Sequence, residues 1–279
     1  TMIDTSRDLT AELEAFYTDY MGVMDSPDTA SWTRFELSSG FSKGIDAFES
    51  ALVQRAKPRF VKVQTTGPCS FALSCEDIGG MPVYYREELR DVVTKMLALK
   101  CRSQIRRFRT RAEEVICFMD EPALSAFGSS AYLGVKREDV VPMLREVVEA
   151  IHLEGAHAGI HCCGNTDWSI PVDAGVDILN FDAFAYGDTI ALYRSSLRTH
   201  FDRGGVLAWG IVPTAVEIRT ETMESLAARL DRAMSLLADK GFDREELARQ
   251  AMITPSCGAG FMEISDAERV FSLASSLSA

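Results

Sequence analysis

From about residue 58 onward the chain alternates between short apolar runs and longer amphipathic stretches, and this alternation limits the possible fold more than any other feature. The runs are Phe60–Thr65, Glu114–Met119, Ala156–Cys162, Val176–Phe181, Gly205–Gly210 and Ala251–Thr254, bounded by Gly, Pro or acidic residues as strands usually are. Glu87–Arg107, Lys136–Leu153, Thr189–Phe201, Thr222–Asp239 and Asp266–Leu277 lie between or after them and carry apolar residues at helical spacing. Such a pattern predicts βαβ units and a parallel sheet. The first 57 residues differ: Ala11–Met21 and Ile45–Arg55 read as helices, and Ser31–Gly40 between them holds no clear strand.

An eight-stranded barrel takes about 250 residues, so the 279 residues here suffice only if nearly all serve the barrel. Six strands are visible. The expectation is an α/β fold, a TIM-type (β/α)8 barrel lacking its first two strands in this chain. It would be one domain over 1–279, mainly helical at 1–57 and with six βα units at 58–279. The two missing strands would lie upstream of Thr1, in keeping with the absence of an initiator Met there. No Gly/Ser linker, low-complexity segment or short repeat divides the chain.

A formal charge of −12 argues against nucleic acid as a partner, because phosphate binding needs a basic surface. No apolar run approaches the roughly 18 residues of a membrane span, and residues 1–20 contain no apolar signal-peptide core. Seven cysteines, odd in number and scattered, read as reduced thiols of a cytoplasmic protein.

The chemistry gathers at strand ends. The third strand closes with His161-Cys162-Cys163, and alternation along a strand places His161 and Cys163 on one face and Cys162 on the other. Cys257 falls just past the end of the last strand. In a parallel barrel all C-terminal strand ends meet on one face, which would bring His161, Cys163 and Cys257 together. Three N/S ligands with a position left open is the pattern of a catalytic zinc, and Asp182, after the strand Val176–Phe181, offers an exchangeable fourth ligand. Packed thiols and a hydrogen-bonded His satisfy the same spacing.

Asp120-Glu121-Pro122 closes the second strand; acids there suit a substrate ammonium or acid–base work, or a helix cap and turn. Thr65-Thr66-Gly67-Pro68 reads as a tight turn. Trp209 at another strand end suits a pocket wall or plain packing. His152 stands at a helix end, Ala150 occupies the place of the Asp in a corrinoid-binding Asp-x-His-x-x-Gly pattern, and His157 and His200 have no supporting neighbours. Cys69, Cys75, Cys101 and Cys117 read as packing thiols. No P-loop, dinucleotide fingerprint or Gly-x-Ser-x-Gly elbow is present.

In order, Thr66-Gly67-Pro68, Asp120-Glu121-Pro122-Ala123-Leu124, His161-Cys162-Cys163 and Thr254-Pro255-Ser256-Cys257-Gly258 resemble the catalytic C-terminal barrel of cobalamin-independent methionine synthase, within the uroporphyrinogen decarboxylase-like superfamily. The stretch His161-Cys162-Cys163-Gly164-Asn165-Thr166 also resembles the zinc motif of that superfamily's corrinoid-dependent thiol methyltransferases. The resemblance covers roughly residues 58–279. It implies Zn²⁺ held by His161, Cys163 and Cys257, with Asp182 where the family has a longer Glu. It also implies that Asp120 contacts the amino group of homocysteine, and it implies a zinc-dependent S-methyltransferase of methionine biosynthesis. The family's early Gly-Ser loop and its folate-binding half have no counterpart here, and Pro213–Glu217 lacks the family's His. These departures favour a short enzyme that takes its methyl group from a corrinoid protein partner. The alternatives are transfer to coenzyme M or another thiol, and a degenerate barrel that binds metal or a corrinoid protein without turnover.

Overall fold

The computed structural model of the chain describes residues 2–278. They group into two compact units, neither of them one contiguous segment. The first runs up to Glu121 and adds Lys136–Ala158; the second holds Pro122–Val135 and the chain from Gly159 on. The boundary at Ala158/Gly159 falls inside a strand, and those at Glu121/Pro122 and Val135/Lys136 fall in the chain that connects regular elements.

In the first unit the elements are β1 (Met2–Ile3), α1 (Thr10–Asp25), α2 (Lys43–Val53), β2 (Phe60–Thr66), α3 (Pro68–Ser74), β3 (Glu76–Asp77), α4 (Glu87–Phe108), β4 (Glu114–Asp120) and α5 (Arg137–Leu153). β2 and β4 pair in parallel, from Phe60 opposite Glu114 to Thr66 opposite Asp120. Val61 and Val63 are buried while Phe60, Lys62 and Gln64, which alternate with them, are exposed, the period of two expected of a strand. α4 begins with Glu87 and Glu88 and ends with Arg106 and Arg107, charges that complement the helix dipole. The N-terminal stretch is helical, as its pattern predicts, and docks on α4. Phe16 and Val23 of α1 form a buried cluster with Phe35 and with Leu99 of α4. The pairing of β1 with β3 is only two residues long and leaves no periodic signal to read.

The second unit begins within β5 (His157–Cys162) and continues with α6 (Ser169–Ala174), β6 (Ile178–Phe181), α7 (Ala183–Tyr186), α8 (Arg194–Asp202), β7 (Val206–Val212), α9 (Met223–Asp239), α10 (Arg244–Arg249), β8 (Ala251–Pro255) and α11 (Ile264–Leu277). β5, β6, β7 and β8 are neighbours in that order and run parallel. The register sorts side chains into two rows. Cys162, Phe181, Trp209 and Ile253 stand beside one another on one face; His161, Asn180, Ala208 and Met252 on the other. The first face is apolar core, with Phe181 packed between Trp168 and Trp209 at ring-centroid distances of 5.7 and 5.4 Å.

The chain is therefore an α/β protein with parallel strands. All six expected strands are present with ends moved by at most two residues, and the helices expected over 87–107, 136–153, 222–239 and 266–277 are found. Thr189–Phe201 is instead a 3-10 turn, Thr189–Tyr193, followed by α8. The turn at Thr65–Pro68 opens α3, with Pro68 in its first turn, where a missing N–H costs nothing. No described helix is long and apolar enough to cross a membrane.

Candidate metal centre

His161 and Cys163 leave the end of β5 on the same side, and Cys162 between them is completely buried on the other. Cys257 follows β8. The ligating atoms of His161, Cys163 and Cys257 all lie within 4.8 Å of one another, and both sulfur-bearing residues are exposed. A tetrahedral zinc, with Zn–S about 2.3 Å and Zn–N about 2.0 Å, holds its ligands roughly 3.5–3.8 Å apart. A contraction of about 1 Å lies within rotamer adjustment, so the donor set fits a zinc ion.

Local packing explains why the two segments stop where they do. Gly164, directly after Cys163, has no room for a side chain: a Cβ there would stand 2.6 Å from the Cβ of Ser125. Thr166 donates to the carbonyl of Leu124 at 2.7 Å, which ties the same loop to the 3-10 turn Pro122–Ala126. On the other segment, the Ser256 amide donates to the Val212 carbonyl at 2.8 Å, and the Thr214 amide donates to Ser256 Oγ at 3.2 Å. Cys257 is thus the first residue beyond an anchored strand end.

Partial desolvation, and then the neighbouring Cys257, raise the Cys163 thiol above its ordinary pKa. Behind the imidazole, His161 Nδ1 lies 2.7 Å from Asn180 Oδ1. With Nδ1 engaged by the amide, Nε2 is the ring nitrogen that would ligate a metal.

Asp182 is not part of the clustered set. It caps α7: its carboxylate accepts from the Ala185 amide at 2.9 Å. Burial raises its pKa, and the capping amides and the nearby His161 act in the opposite direction. The sequence expectation of Asp182 as a fourth ligand therefore meets a carboxylate already engaged in a cap.

Trp209, expected as a pocket wall, has no exposed surface. Its register places it in the row of Phe181, on the face opposite His161, and its indole N–H finds no acceptor among the described residues. It serves the core. One strand position of offset separates the two faces, and only the pairing register reveals which one a strand-end aromatic takes.

Asp120 and Glu121 close β4 in the first unit. Asp120 accepts from Gln64 Nε2 at 3.1 Å on the exposed side of the β2–β4 pair. Glu121 is completely buried. It accepts from the amides of Cys69 and Ser70 at 2.8 and 2.7 Å and from Ser70 Oγ at 2.6 Å. Gly67 leaves it space, since a Cβ there would come within 2.3 Å of the carboxylate. Glu121 thus ties the first turn of α3 to β4, and burial pushes its pKa up to about 7 despite those three donors.

His152 is in the last turn of α5, His157 pairs with Glu114 at 2.6 Å, and His200 is buried. Cys69, Cys75, Cys101, Cys117 and Cys162 are buried. Asn180 is the site residue that sequence reading missed. Its signal was an amide inside the apolar run Val176–Phe181, because a buried amide has to be hydrogen-bonded.

No protein-family model and no curated protein matches the chain. A fold of this kind hosts many activities, so the functional reading comes from the site.

Proposed function

We propose that the chain is a zinc-dependent thiol S-methyltransferase, with homocysteine as the favoured acceptor and a methylcorrinoid protein as donor. One observation carries the reading: an imidazole and two thiols from two separate strand ends converge within 4.8 Å. His161, Cys163 and Cys257 would hold the ion. The exposure of both cysteines leaves a side open to an incoming ligand, as a catalytic rather than a closed structural site requires. When bound, the ion supplies Lewis acidity that lowers the pKa of an acceptor thiol, otherwise about 8.5 and mostly protonated at neutral pH.

The protein's own residues do the rest. Asn180 orients the His161 ring, and the loop pinned by Gly164 and Thr166 aims Cys163. Asp120 is the residue this reading assigns to the acceptor's amino group, which is the reason to favour homocysteine over coenzyme M.

Metal analysis of the full chain, purified without chelator, is the first test. About one zinc per chain, lost in His161→Ala and Cys257→Ser, is expected. Absence of stoichiometric zinc, or its full retention in both variants, overturns the reading. With zinc present, methylcobalamin is mixed with homocysteine or coenzyme M, and the cobalamin absorbance change names the acceptor. No change with either thiol leaves metal binding without turnover.

A further inference from the structure

Asn180 lies in the middle of a closed hydrogen-bond network. It is 5% exposed, and every polar atom of its side chain is engaged. Nδ2 donates to the Ala208 carbonyl at 2.9 Å and to Thr254 Oγ1 at 2.9 Å. A carbonyl oxygen can only accept, so the amide nitrogen must be the atom that faces Ala208. Rotating the amide by half a turn would set Oδ1 against that carbonyl, two acceptors facing each other in a buried place. Oδ1 is therefore the atom that faces His161 Nδ1, and Oδ1 has no proton to give. The proton of that contact belongs to His161 Nδ1.

We propose that Asn180 is a positioning residue that locks His161 in its Nδ1-protonated tautomer and so presents the Nε2 lone pair to a metal ion. The proposal rests on the reading of His161, Cys163 and Cys257 as a metal site for its purpose, though not for the tautomer itself. The same amide also couples the two ligand-bearing strand ends. It binds His161 at the end of β5 and Thr254 on β8, three residues before Cys257. Partners that fix the far nitrogen of a ligating His set both the ring's orientation and its basicity, and losing one typically weakens metal binding 10–100-fold.

Two measurements on the full chain test this. In metal-free wild-type protein, long-range ¹H–¹⁵N correlation spectra of the histidine rings report each tautomer, with His161 assigned by its loss in His161→Gln. The Nδ1-protonated form is expected at His161; the Nε2-protonated form, or a rapid mixture of the two, overturns the proposal. Zinc affinity is then measured by competition with a chelator. Asn180→Leu removes the acceptor and is expected to weaken binding about 10–100-fold. Thr254→Val removes one anchor but keeps the acceptor, and is expected to weaken it only a few-fold. Equal affinity of Asn180→Leu and wild type overturns the positioning role. Should Asn180→Leu fail to fold, the wild-type tautomer still decides. A wild type that shows the expected tautomer but binds no zinc overturns the metal reading alone.

Discussion

Ser70 Oγ donates to Glu121 Oε2 across 2.6 Å, and the amides of Cys69 and Ser70 donate to the same carboxylate. The first turn of α3 is thereby attached to the end of β4 through one fully buried acid. Desolvation outweighs the three donors and raises the pKa of Glu121 to about 7. The folded protein holds this proton more tightly than the unfolded chain, so its contribution to stability is complete below about pH 4.5. It is lost as pH rises through about 7, by an amount on the order of 3 kcal/mol. In denaturant titrations, the stability of wild type minus that of Glu121→Gln should fall across that window, since the difference isolates this carboxyl from other titrating groups. Glu121→Ala strands three buried donors and is expected to cost about 3 kcal/mol or more at any pH. A slope that survives Glu121→Gln belongs to another group.

His200 titrates in the opposite sense. It is buried in α8, with Nε2 donating to the Val206 carbonyl at 3.1 Å, and desolvation pushes its pKa down to about 4. Neutral His200 contributes fully above about pH 6.5, and that contribution falls away as pH drops toward 4, again by roughly 3 kcal/mol. Between pH 4.5 and 6.5 the Glu121 and His200 slopes oppose each other, so wild-type stability should look flatter than that of either variant. His200→Gln should flatten the acid side of its own curve and expose the Glu121 slope. Identical curves for His200→Gln and wild type would show that the buried imidazole is not the acid-sensitive group.

The first unit depends on a nearly buried ion pair. Arg102 on α4 donates to Glu154 at the end of α5 across 2.8 Å, with side-chain exposures of 7% and 4%. Arg102 also lies over the Trp32 ring, 5.4 Å from its centroid. Removing one partner of such a pair leaves a buried charge uncompensated, which costs about 3–5 kcal/mol. Glu154→Ala should therefore lower stability by that amount. Arg102→Met with Glu154→Leu should recover much of it, because apolar replacements of similar size abolish both desolvated charges. A cost under 1 kcal/mol for Glu154→Ala would show that the pair, which Arg106 approaches to 3.5 Å from Glu154, is effectively solvated.

Gly164 tests the link between packing and the metal centre. A Cβ added there stands 2.6 Å from the Cβ of Ser125, so Gly164→Ala must move the loop that carries Cys163. Zinc affinity should fall about tenfold or more, since an ångström-scale displacement of one ligand is enough to disturb a site of this kind. Ser125→Gly, which removes the opposing atom, should restore affinity in the double variant. Unchanged affinity in Gly164→Ala would mean that the loop is not what aims Cys163.

Much of this protein follows from local pattern. The six strands and the long helices are legible because side-chain period is a local property, two along a strand and about 3.6 along a helix. The same rule separates Cys163 from Cys162 and places His161 beside it in orientation. Strand ends also mark His161, Cys163 and Cys257 as candidates, since parallel strands present their C-terminal ends together. What the tertiary structure alone decides are the partners across the sheet and the burial they create. Trp209 belongs to the row of Phe181 because of the β6–β7 register; Asp182 is taken up by the α7 cap. Glu121 meets its three donors because α3 folds back onto the end of β4. Asn180 became a site residue only when Ala208 and Thr254 arrived from two other strands to orient its amide. Each of these rests on contacts between residues far apart in sequence, and hydrogen-bond direction is set by the complete network, not by any one residue in it.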